Sequence, residues 1–183
     1  MVWVKKKKQM ILKLEETQQQ LTDEELNEFS QFVGNKIPDD FINFYRQFNG
    51  GTFIQLDSKM SNYVDDKFLI NFFSIKYGLT IENIYAQFKR DFPQLQDMLP
   101  FASDLYLNCY LLSLRPQDNG CIYYWSVVEQ KLTLQFESFN CFILFLDEIL
   151  QSLDKKYKKD RQLDILIWVW VIASIALYIY FKK

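Results

Sequence analysis

The chain has 183 residues, of which 49% are apolar and 17% aromatic, enough to build one packed core and too many for a disordered protein. Its net charge of −2 hides an uneven distribution: residues 9–154 hold 10 basic against 21 acidic residues, a net charge of −11. That field favours basic partners and disfavours direct binding of nucleic acid. Histidine is absent, which removes Ser-His-Asp and Cys-His catalysis and nearly all zinc enzymes. No cofactor or metal site is expected, and an enzyme is the least favoured class.

The basic residues gather at the ends. Lys5–Lys8 form an N-terminal basic tail (1–9), and MVWV before them is too short for a signal peptide. Residues 9–33 read as helical. Thr22 and Glu25 have capping-box spacing, Asp23 and Glu24 suit a first turn, and Leu26, Phe29 and Val33 recur at helical spacing before Gly34. A second helix starts at Pro38, with Asp39 and Asp40 in its first turn and Phe41, Phe44, Tyr45 and Phe48 on one face. Asn49-Gly50-Gly51 ends it and turns the chain.

Residues 52–56 read as a short strand, 57–67 as a polar loop carrying Asp57, Asp65 and Asp66, and 68–75 as a strand. Thr80 to Phe92 reads as a helix, and Pro93 and Pro100 bracket a connector. Consecutive strands follow to Gln135, joined by turns at Asp118-Asn119-Gly120 and Glu129-Gln130-Lys131. Alternation along a strand keeps Tyr123, Tyr124 and Trp125 from all facing one core. Residues 139–153 read as a closing amphipathic helix. Cys109, Cys121 and Cys141 lack C-x-x-C spacing and read as reduced core residues.

Lys155, Lys156, Lys158, Lys159 and Arg161 lie in a basic linker (155–164), and residues 165–181, ILIWVWVIASIALYIYF, carry no charge. Seventeen helical residues extend about 26 Å, against a hydrocarbon core of about 30 Å. Ile165, Trp168 and Trp170 lie at one rim, and Tyr178, Tyr180 and Phe181 at the other. The segment reads as a transmembrane helix. Five basic residues before it and two after it place the body in the cytoplasm, at the inner membrane. A buried core helix is the plainer alternative.

The order helix, IP-helix, NGG, strands, helix, hairpins and closing helix resembles the SUKH superfamily. The resemblance rests on KIPDDFINFYRQFNGGTF (36–53), LPFASDLYLNCYLLSL (99–114), GCIYYW (120–125) and FESFNCFILFLDEIL (136–150). It covers residues 10–154. It implies an α+β fold, a mostly antiparallel sheet flanked by helices, with Ile37, Pro38, Asn49, Gly50, Gly51, Gly120 and Trp125 as fold-motif positions. The pattern expects glycine after Ala102-Ser103-Asp104, where Tyr106-Leu107-Asn108 stand instead.

The resemblance implies binding rather than catalysis: an immunity protein that neutralises a cognate toxin domain. A basic nuclease suits the acidic body. Candidate docking residues are Asp39, Asp40, Asp57, Asp65, Asp66 and Tyr124. The alternatives for them are helix-start stabilisation at Asp39 and Asp40, solvation at the loop acids, and cross-strand packing at Tyr124. The competing function is a tail-anchored scaffold subunit of a membrane complex. Oligomeric state is left open.

Overall fold

In the computed structural model the described residues are 12–34, 36–54 and 65–181, with the backbone alone for 67, 164 and 171–181. The fold is α+β. Helices are α1 (Asp23–Val33), α2 (Asp39–Gln47), α3 (Ile81–Asp91) and α4 (Phe139–Phe181). The strands are β1 (Gly51–Thr52), β2 (Asn71–Phe72), β3 (Met98–Ser103), β4 (Cys109–Ser113), β5 (Ile122–Ser126) and β6 (Lys131–Phe136). They form one six-stranded antiparallel sheet in the order β1-β2-β3-β4-β5-β6.

Both faces of the central strands are covered, which is why they are rich in apolar residues on both sides, while the edge strand β6 is largely exposed. Tyr110, Leu112, Ile122 and Tyr124 belong to the larger core with α1, α2 and α4. Rings dominate it: Phe41 lies 4.7 Å from Tyr45, 4.9 Å from Phe139 and 5.8 Å from Phe101. On the other face Leu111, Tyr123 and Trp125 pack with Phe88 and Phe92 at the end of α3. Alternation thus separates Tyr124 from Tyr123 and Trp125.

The Asn49-Gly50-Gly51 turn ties this architecture to the chain's first segment. The buried Asn49 side chain donates to the carbonyls of Gln19 (2.8 Å) and Ile75 (3.0 Å) and accepts from Ile75 N–H (2.7 Å). Gly51 has φ +113°, and a Cβ there would fall 2.5 Å from the Glu15 carbonyl oxygen. Glu15 needs that closeness because it pairs with Thr52 through two backbone bonds.

Several expectations are corrected. Residues 12–22 are not helical. Leu12 and Leu14 are buried and Lys13 is exposed, the alternation of extended chain, and the helix starts only after Thr22. Of the strand expected at 52–56, Thr52 lies in β1, Phe53 and Ile54 do not, and 55–56 lie outside the described residues, as does the loop expected at 57–67 up to residue 64. The strand expected at 68–75 shrinks to β2, preceded by a short 3-10 turn, Asp66–Phe68. Pro38 is the N-cap of α2 rather than its first residue. Pro100 lies within β3, where the ladder register shifts between Pro100 and Ala102. A bulge is one of the few sheet positions that accepts a residue without an N–H. Cys141 is exposed, not core.

The largest correction concerns α4. It begins beside β6, and Asp147 Oδ1 accepts from Leu12 N–H (2.9 Å), so the helix reaches the segment that pairs with β1. It then runs without a break through 155–164, because nothing from 139 to 181 is proline or glycine. Among the described residues no helix is long and apolar enough to cross a membrane. The side chains of Tyr178, Tyr180 and Phe181 lie outside the described set.

Two outcomes follow from the way α1 and the turn are pinned. Asn49→Ala leaves the Ile75 N–H and two carbonyls unpaired in the interior. It should lower unfolding free energy by about 2–3 kcal/mol, read as a lower urea midpoint at unchanged slope. Glu25 accepts from Tyr77 OH (2.5 Å), Thr22 N–H (3.0 Å) and Lys76 Nζ (3.0 Å), and these bonds, Tyr77's foremost, hold its carboxyl at about 2 instead of 4.5. A depressed carboxyl stabilises the fold above its unfolded value and loses that contribution as pH falls from 4.5 towards 2. In acid titrations followed by circular dichroism, Glu25→Gln should therefore lose less stability across that window than the parent.

Candidate protein-binding end of the sheet

Antiparallel order brings the β3–β4 loop (104–108) and the β5–β6 turn (127–130) to one end of the sheet. The organising group there is the buried Asp104. Its Oδ1 accepts from the N–H groups of Tyr106 (2.8 Å) and Asn108 (3.0 Å). Its Oδ2 accepts from Asn108 Nδ2 (3.0 Å) and Tyr124 OH (2.7 Å). Asn108 Oδ1 in turn accepts from Val127 N–H (3.0 Å), joining the two loops. Burial, then the bond to Asp104, pushes the Tyr124 hydroxyl well above its usual range, so it stays a donor. Burial, with Asp104 adding to it, drives the Cys109 thiol up to about 12, leaving it unreactive as a nucleophile.

The loop so fixed turns apolar side chains outward. Leu105, Tyr106 and Leu107 are exposed, Leu107 to 74%, and Val127 and Val128 stand beside them, Val128 at 89%. Leu107 has φ +62°, the left-handed region that favours glycine. This is the position where the family-like pattern expects glycine. Asp65 and Asp66 are exposed at the same end, and Tyr106 OH donates to Asp66 Oδ2 (2.8 Å), which raises the phenol's pKa. The patch therefore has apolar tips and a carboxylate rim, the composition of a protein-binding surface.

The candidate docking residues separate. Asp65 and Asp66 lie at this end, and Tyr124 lies beneath it with its hydroxyl committed to Asp104 and its ring 5.3 Å from Tyr110. Asp57 lies outside the described residues. Asp39 and Asp40 are at the opposite end, where the β4–β5 turn meets α2. There Asp40 Oδ2 accepts from Asn140 N–H (2.9 Å) and so caps the start of α4. Asp39 is exposed. At the same end Asn119 Nδ2 donates to the Lys36 carbonyl (2.8 Å), and a Cβ on Gly120 would lie 3.1 Å from Pro38 Cγ. Burial alone would raise Asp118, but bonds from Arg115, Ser113 and Tyr123 outweigh it and bring the carboxyl to about 2. Ile37 packs half-buried on the main core and Trp125 is buried in the smaller one. At this second end Asp40 and Asp118 are bound into the fold, while Asp39, Asp97 and Glu137 are exposed.

Sequence reasoning missed Leu105, Leu107, Val127 and Val128. The available signal was the run Leu-Tyr-Leu where a turn was due. A groove of about 260 Å³ between α2 and α4, bordered by Asn43, Gln47 and Asn140, carries no convergent titratable set. Among the described residues no group of three or more His, Cys, Asp or Glu side chains is placed to hold a metal.

Replacing Leu107 by glycine should relieve the backbone at little packing cost. The left-handed conformation costs about 1–2 kcal/mol and the freer unfolded glycine returns about 0.5–1. A net gain of about 0.5–1 kcal/mol, near 2–3 °C in Tm, is expected by calorimetry.

Comparison with known proteins agrees with this architecture. The pattern of the SMI1 / KNR4 family (SUKH-1) matches residues 20–145, from just before α1 into the first turns of α4. No curated protein matches the chain.

Proposed function

Because the chain belongs to the SMI1 / KNR4 family (SUKH-1), we propose that it is an immunity protein. It binds a cognate toxin domain and blocks that domain's active site or its access to substrate. The observation that carries this reading is family membership joined to a body of net charge −11. A toxin that grips phosphates, such as a nuclease, must be basic where it does so, and an acidic body competes for that surface. Long-range attraction then speeds encounter, which an antidote needs.

We place the domain at the cytoplasmic face of the inner membrane. The reading is supported by the five basic residues between Lys155 and Arg161, followed by six apolar residues, Ile165–Trp170, each 54–74% exposed and in helical register. A helical stretch of this kind suits attachment to a bilayer interface, with tryptophans at headgroup level and lysines facing anionic lipid. Attachment concentrates the antidote where an incoming toxin emerges.

Co-expression tests the reading. A toxin gene is expected beside this one, and its toxin domain should arrest growth alone and be tolerated when the full chain is present. The pair should co-purify at 1:1, with an association rate that falls steeply as salt rises. Persistent growth arrest together with absent association would contradict the assignment.

A further inference from the structure

We infer that the tip built from Leu105–Leu107 and Val127–Val128 is the anchor of toxin binding, with Leu107 and Tyr106 entering an apolar cleft of the basic toxin domain. This rests on the immunity reading and adds to it the surface and the kind of partner surface it fits.

The central strands are covered on both faces, and the exposed large apolar side chains elsewhere in the domain, Phe32, Leu79, Leu134 and Leu144, stand on four separate segments. Against that background five exposed ones fall on two adjacent loops. The loops form one surface, because Asn108 follows Leu107 and accepts from Val127 N–H at 3.0 Å. That surface is preorganised: three bonds to the Asp104 carboxylate come from within its own loop. A tip already fixed loses little conformational entropy on docking, and that loss is a main cost of association.

The backbone strain points the same way. Leu107 holds a left-handed conformation yet leaves three quarters of its side chain in water. The bonds from the loop to Asp104 hold that conformation, so the side chain is presented outward at a fixed angle, and unfavourable backbone conformations concentrate at binding sites. The rim supplies the sign of the partner. Asp65 and Asp66 are exposed beside the tip, and Asp66 is held by Tyr106 OH at 2.8 Å. Lysine or arginine side chains flanking an apolar cleft would meet these carboxylates around the anchor, giving an apolar centre and a charged rim. The opposite end has exposed acids in Asp39, Asp97 and Glu137, but among the described residues no exposed large apolar side chain stands beside them.

The test uses the full chain and the catalytically inactivated toxin domain from the adjoining gene, with kinetics by biolayer interferometry and Tm measured in parallel. Leu107→Gly keeps the loop conformation and deletes only the side chain. It should raise Tm yet weaken binding about 30-fold or more, mainly through faster dissociation. Val128→Asp should weaken binding similarly, and Asp66→Asn should slow association, more so at low salt. Asp39→Asn should bind within about twofold of the parent, as expected for a charge away from the contact. A Leu107→Gly protein that is more stable and binds as tightly as the parent overturns the anchor while the immunity reading stands. Absence of binding by the parent overturns the immunity reading itself.

Discussion

Asp104 has almost no solvent contact, and a carboxylate in that position is costly unless every lone pair finds a donor. Four donors surround it: two backbone N–H groups, an amide and a phenol. They come from the β3–β4 loop and from β5, so one side chain clamps the end of three central strands. Removing any single donor would leave the carboxylate partly unpaired, which makes the cluster stand or fall together. The conformation of residues 105–108, including the left-handed Leu107, is a consequence of this clamp.

The aromatic interior sets the other boundary condition. Rings from α2, β3 and α4 interlock around Phe41 and Phe101, and Tyr45 OH donates to the carbonyls of Phe73 (2.9 Å) and Phe101 (3.3 Å). With α3 closing the far face, the central strands are covered on both sides, while the edge strand β6 is largely exposed. The two ends of the sheet differ in what they offer a partner. One end is occupied by internal ties among Asp40, Asn140, Asn119 and Lys36. The other carries apolar tips over a fixed base. An interaction protein of this construction needs no cavity: rigidity comes from the buried polar cluster and affinity from what that cluster exposes.

Much of this was legible in the sequence, for local reasons. The Thr22–Glu25 capping box and the Leu26, Phe29, Val33 stripe define α1 through contacts within the helix itself. Gly120 and the Asn49-Gly50-Gly51 turn mark positions where only glycine fits easily, and such marks survive in any context. What escaped depends on distant partners. The extended course of residues 12–22 is imposed by pairing of Glu15 with Thr52, although the alternation of Leu12 and Leu14 hinted at it. Pro100 sits inside a strand because of a bulge that only the β3–β4 register reveals. The basic stretch after residue 154 looked like a linker because it is charged, yet lysine, glutamine and leucine are good helix formers and nothing interrupts them. At the candidate site, Asp65 and Asp66 were legible as loop acids. The division of the acids between two ends was not, since it follows from sheet topology alone. Leu107 was visible as a missing glycine, but its exposure follows from Asp104 bonding inward.

The central claim is that the Asp104-organised end of the sheet is where a basic protein docks. Hydrogen–deuterium exchange of the full chain with and without the inactivated toxin domain reads this directly. New protection should be confined to residues 104–109 and 126–130, with the α2 start and the β4–β5 turn unchanged. Protection centred on residues 36–43 and 115–121, with the loop end exchanging as in the free protein, would contradict it.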